Sequence, residues 1–214
     1  MSAIPLEYLK KIGSYRNMKV HGETVTVIAD AAETSALTES RIADFRSHLV
    51  RNNVKVVGVD SKEKKEVCLG STNILSDYVL VLYAGNRCYI FHYGVNYVIP
   101  ESLLKIFRDP NICFVGSFVL NQSYYKSMNS EVISAGKLAA MVLKKPGLTT
   151  SALASIAKEA GIQYDGPSFE SKAVIEVDWR NPKVLTAEMV KIAINDAVAH
   201  YLIGCKLFKM LDDN

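Results

Sequence analysis

Lys55-Val-Val-Gly-Val-Asp-Ser-Lys-Glu63 is the stretch whose reading decides the fold. Its run Val56, Val57, Gly58, Val59 has the apolar, β-branched composition of a short buried strand. Asp60 ends that run abruptly. An acid at the end of a hydrophobic strand can present a metal ligand at the mouth of a sheet. Because side chains alternate along a strand, a second acid facing the same way belongs at position 62. The chain carries Lys62 there.

On the N-terminal side, Met18 to Ala29 reads as two strands around a turn at Gly22, with clean alternation over Thr24 to Ile28. Ser35 to Leu49 sets Leu37, Ile42, Phe45 and Leu49 close to helical spacing, the pattern of an amphipathic helix. Residues 1–16 read as an N-terminal arm, ahead of a domain over residues 17–212.

On the C-terminal side, the polar Ser61 to Glu66 reads as a loop. Tyr78 to Tyr83 and Cys88 to Tyr93 read as an antiparallel hairpin joined by Ala-Gly-Asn-Arg. Pro100 opens a helix over Glu101 to Phe107, and Asn111 to Ser117 reads as a buried strand. The pattern from Val119 onward is helical, broken at Pro146-Gly147 and around Gly161 to Pro167. Thr150 to Ala160 reads as a helix led by Thr or Ser and closed by Gly161; Thr186 is the expected N-cap of a long last helix ending near Met210. Strands first and helices later describe an α/β domain with a mixed sheet.

The chain has 214 residues, enough for one sizeable domain; 49% are hydrophobic and 22% charged, ordinary for a globular protein. A net charge of +3 gives no basis for nucleic-acid binding by charge alone. Cys68, Cys88, Cys113 and Cys205 are dispersed, as are the four histidines, so the cysteines read as reduced core residues and not as a zinc site. No apolar run reaches membrane-spanning length and residues 1–16 lack a signal-peptide core, so no membrane partner is expected and the setting is cytoplasm or nucleus.

In order and spacing, several segments resemble the 3′–5′ exonuclease domain of the DnaQ-like superfamily. They are Val56 to Asp60, Arg87 to Phe91, Ile99 to Leu103, Phe114-Val-Gly116, Leu153 to Lys158, Trp179, Leu185-Thr186 and Asp196-Ala197. The nearest group is the Werner-type and ribonuclease-D-like branch, particularly its small single-domain plant members. The resemblance covers roughly residues 22–208 and implies a ribonuclease-H-like fold, a mixed five-stranded sheet flanked by helices. Family members hold two divalent cations with four acids, because phosphodiester cleavage builds negative charge and hard cations need converging oxygen ligands.

Position by position, the family's Asp-x-Glu falls on Asp60 and Lys62, and its second-motif acid on Gln122. Its Tyr-x-x-x-Asp falls on Ile192 and Asp196. Two of the four acids remain, and the tyrosine that orients the attacking water is replaced. Glu63 would face away from Asp60 unless a bulge intervenes. At ~4 Å and an effective dielectric of ~20, a lysine interacts with a neighbouring carboxylate by about 4 kcal/mol, so Lys62 is expected to repel a cation and neutralise the remaining acids.

Asp196 reads first as an acid paired with Lys62 or His200, and second as a surviving metal ligand beside Asp60. His200 reads as a helix-surface or core histidine. Tyr124 and Tyr125 either stack on bases in a retained groove or cover the core. The expected protein is a catalytically impaired or inactive exonuclease-like module that needs no cofactor. Its expected partners are a protein or an active paralogue, with nucleic acid and a second copy of the chain as further candidates. The alternative is an active exonuclease with a rearranged site, which would need Mg²⁺ or Mn²⁺.

Overall fold

The apolar runs pair into one mixed sheet in the computed structural model, which describes residues 14–29, 35–67, 74–93, 99–117, 132–166 and 187–213. Its strands are β1 (Ser14–Val20), β2 (Glu23–Ala29), β3 (Val56–Val67), β4 (Ile74–Ala84), β5 (Arg87–Tyr93) and β6 (Cys113–Gly116). The spatial order is β1-β2-β5-β4-β3-β6, six strands among the described residues where five were expected. The extra width comes from the β1–β2 hairpin, which joins the sheet through parallel pairing of β2 with β5. Residues 14–16, read with the arm, belong to β1.

The Lys55–Glu63 stretch builds the interior of this sheet. β3 pairs antiparallel with β4 from Gly58↔Tyr83 to Val67↔Ile74 and parallel with β6 from Val56↔Cys113 to Val59↔Gly116. The expected loop at Ser61 to Glu66 is therefore strand; its polar side chains do not prevent the backbone from completing the ladder with β4. The β3–β4 register has no shift along its length, so Glu63 holds a position on the face opposite Asp60. β4 and β5 form the expected hairpin around Gly85-Asn86.

Two helices cover one face. α1 (Ser35–Arg51) and α2 (Glu101–Phe107) pack Ile42, Phe45, Leu49, Leu103 and Phe107 on Val57, Val59, Leu80, Leu82 and Phe91. On the other face lies α5 (Ala187–Asp212), whose Val190, Ala193, Ile194, Ala197 and Val198 meet Val79, Val81, Tyr83, Cys88 and Ile90. The alternation Val79, Val81, Tyr83 against Leu80, Leu82 sorts β4 between the two cores. Burying each such side chain contributes about 1.5–3 kcal/mol.

A third cluster forms where α3 (Ala135–Val142), the 3-10 turn Pro146–Thr150 and α4 (Leu153–Glu159) pack Leu138, Leu148 and Ile156 around Val115, Ile203 and Leu207. The N-cap of α4 is Ala152, not the expected Thr or Ser, because the Thr149 and Ser151 hydroxyls donate back to the Pro146 and Gly147 carbonyls of the preceding 3-10 turn. Cys88, Cys113 and Cys205 are free thiols, and Cys68 lies outside the described residues. Among the described residues, no helix is long and apolar enough to cross a membrane.

Candidate functional site

Gly58 lets α5 lie directly on β3. A Cβ there would fall 2.7 Å from the Tyr201 amide nitrogen and closer still to the Ala197 carbonyl oxygen. Alternation puts Asp60, two residues on, on the same α5-facing side. Asp60 is buried, with 6% of its surface exposed, and its charge reaches the buried Cys88, whose thiol is pushed up mainly by desolvation.

His200 fixes the depth of α5 on this strand. Its Nδ1 donates to the Val59 carbonyl at 2.9 Å, from a ring only 7% exposed. Gly116, at φ +149°, closes the same corner: a Cβ would sit 2.9 Å from His200 Nδ1 and collide with the Val59 carbonyl. That conformation and contact both require glycine. The Val-Gly of β6 thus earns its place in the corner by shape.

One helical turn before His200 comes Asp196, half-buried. The Tyr164 hydroxyl donates to Asp196 Oδ1 at 3.1 Å, and Asn195 Nδ2 donates to the same oxygen at 3.3 Å. Asn195 Nδ2 also donates to the Tyr164 oxygen at 3.2 Å, closing a three-membered polar ring. Burial, then the Asp196 charge, then that hydrogen bond push the Tyr164 hydroxyl well above its ordinary range, with a further contribution from Asp60. It therefore stays protonated and a donor. Asp60 and Asp196 both raise this one hydroxyl.

Tyr164 is itself held from behind. Its ring stacks on His21, with centroids 4.8 Å apart and planes at 21°. His21 Nδ1 accepts the Asp165 amide hydrogen at 2.8 Å, and Nε2 donates to the Asn195 carbonyl at 2.9 Å. An amide only donates and a carbonyl only accepts, so these bonds fix His21 as the neutral Nε2–H tautomer. Burial lowers its pKa, against upward pulls from the Asn195 carbonyl, Asp165 and Asp196; Lys191 adds a smaller downward one.

The structure thus bonds the Tyr164 hydroxyl to Asp196, while Asp60 acts on it through its charge alone. Position 62 pairs with Val79, a residue of the α5-facing core, so by register Lys62 occupies the α5 side; its side chain lies outside the described part. Ile192 is half-buried one turn before Asp196. Gln122, Tyr124 and Tyr125 lie outside the described residues. Sequence reasoning missed Tyr164, Asn195 and His21.

Hard cations need carboxylate oxygens turned toward a common point. Asp196 Oδ1 is turned to a hydroxyl and an amide, and among the described residues no three His, Cys, Asp or Glu side chains converge as a metal-holding group. At Asp196 the described donors thus converge on Oδ1. Elsewhere, an open cleft of about 630 Å³ includes Lys55, Tyr201 and Lys209 and shares no residue with the acid pair. No model of a known protein family and no curated protein matches the chain.

Proposed function

We propose that the chain is a catalytically impaired or inactive 3′–5′ exonuclease-like protein that works as a binding or regulatory module. Its partner in this reading is a protein or an active paralogue, with nucleic acid in second place. The observation that carries the reading is the double hydrogen bond into Asp196 Oδ1 from Tyr164 and Asn195. A two-cation nuclease keeps such oxygens for metal, to stabilise the attacking and leaving oxygens of the displacement. The replacements at Lys62 and Gln122 point the same way, since each removes an oxygen ligand the family uses.

Support for a ribonuclease-H-like sheet comes from the strand order. Without the β1–β2 hairpin, the order is β5-β4-β3-β6, and Ile133 pairs in parallel beyond β6 through bonds to Phe114 and Gly116. That makes five positions with β3, the bearer of Asp60, in the middle.

The test is a nuclease assay on single-stranded and recessed-end DNA and RNA with Mg²⁺ and Mn²⁺. The reading predicts no trimming that Asp60→Ala abolishes; Asp60-dependent, metal-dependent trimming overturns it. Restoration checks the same reading from the other side. Lys62→Glu with Gln122→Asp and Ile192→Tyr is expected to bring metal-dependent trimming into being.

A further inference from the structure

We infer that Tyr164, Asn195 and Asp196, backed by His21, form a structural clasp in which the carboxylate matching a family metal ligand anchors the segment at residues 162–166 to α5. The inference rests on the non-catalytic reading of this site and says what Asp196 does instead.

The clasp joins three parts of the chain far apart in sequence: the β1–β2 turn, the segment after α4, and α5. That segment has little backbone bonding to hold it. The Ile162 amide turns back to the Ala157 carbonyl, and the Asp165 amide is taken by the His21 ring. Ile162 and Tyr164 pack on the cluster that holds Ile203 and Leu207 of α5, and the polar attachment runs through the Tyr164 hydroxyl on Asp196 and Asn195.

Gly166 supports this independently. A Cβ at that position would overlap the Tyr164 ring, 2.5 Å from its hydroxyl oxygen. The chain therefore folds back over one side of the ring while His21 stacks on it. A tyrosine packed on both its stacking partner and its own following backbone is held for its position, and its hydroxyl ends on a carboxylate. A hydrogen bond accepted by an ionised carboxylate is roughly twice as strong as a neutral one.

A metal site and a clasp respond oppositely to loss of the Asp196 charge. In a metal site without its cation, clustered carboxylates repel one another, and removing one charge stabilises the fold. In a clasp the carboxylate is the acceptor, and removing its charge weakens the anchor.

The test is a thermal-unfolding cycle in chelator on the full chain, comparing wild type, Tyr164→Phe, Asp196→Asn and the double variant. Each single change is expected to lower Tm by about 2–12 °C, and the double variant to fall by clearly less than the sum of the two, because Tyr164→Phe removes the bond that Asp196→Asn weakens. A rise in Tm with Asp196→Asn, or Tm losses that add in the double variant, overturns the clasp. Repeating the wild-type and Asp60→Ala melts with Mn²⁺ separates the two claims. An Asp60-dependent upward shift sinks the non-catalytic reading whatever the cycle shows, whereas additive losses with no such shift sink the clasp alone.

Discussion

Two tyrosine–aspartate pairs among the described residues differ in what stands behind the acid. On the α1 side, Asp44 Oδ2 accepts the Tyr89 hydroxyl at 2.8 Å, with Arg87 at 3.4 Å and Arg51 4.0 Å from the other oxygen. The Asp44 side chain is 38% exposed. Burial pushes the Tyr89 hydroxyl up to about 12, while Arg87 pulls it down and Asp44 raises it. On the α5 side, Asp196 accepts from Tyr164 and Asn195, both neutral, and the tyrosine is clamped between His21 and Gly166. The first pair is a surface ion cluster with a tyrosine attached. The second has neutral donors on its acid and a ring packed on both sides. The same two residue types therefore do different work, and the difference can be broken or sharpened by substitution.

The largest effect is expected from Gly58→Ala. Its new methyl must displace α5 from β3, which overpacks the interface and costs about 3 kcal/mol or more in urea unfolding. Only the α5 pair should be disturbed: the Tyr89 hydroxyl should still titrate near 12, because it belongs to the other face.

A direct comparison follows with phenylalanine at each tyrosine. Tyr164→Phe takes one donor from half-buried Asp196 and is expected to cost about 1–3 kcal/mol. Tyr89→Phe leaves Asp44 with Arg87 and solvent, and is expected to cost about 0.5–1.5 kcal/mol, read by the same denaturation.

Acid should loosen the α5 side through His21. Its folded pKa is lowered by burial, so the unfolded chain binds the extra proton first. The stability it supplies is complete above the unfolded value of 6.5 and is lost as pH falls from there toward the lower folded value. His48 adds a second contribution of the same sign, since burial also lowers its pKa while its Nε2 donates to the Ala84 carbonyl. Melts from pH 7.5 to 5 should therefore fall, with a shallower fall in His21→Gln and in His48→Gln.

The smallest effect is expected from Arg87→Met. That side chain is 34% exposed, so its loss should cost roughly 0.2–1 kcal/mol, and the difference from wild type should shrink in 1 M salt.

Much of the scaffold was legible because it depends on local pattern. The alternation over Thr24 to Ile28 and the Gly85-Asn86 turn carry their own instructions, and so does the apolar spacing of Ile42, Phe45 and Leu49. Ser61 to Glu66 was misread because composition reports on side chains, whereas the ladder to β4 is a backbone property fixed by the neighbouring strand. The helix start at Ala152 was misplaced because Thr149 and Ser151 serve the turn before it.

Only the two acids of the site were legible. Asp60 stands out as the acid that ends a hydrophobic strand and Asp196 through the resemblance, but Tyr164 lies 32 residues before Asp196, and His21 lies 174 before Asn195. No period links residues so far apart. The nearest sequence signals were the break around Gly161 to Pro167 and the turn at Gly22, and both read as punctuation. His21 sits in that turn at φ +49°, a left-handed position that histidine tolerates better than most side chains.

The central proposal is that this chain has an exonuclease-like scaffold without the metal chemistry. Calorimetric titration of the full chain with Mn²⁺, beside Asp60→Ala, tests it most directly. The account predicts that wild type and variant give the same trace, with no site of micromolar affinity. A micromolar Mn²⁺ site that disappears with Asp60→Ala would contradict it.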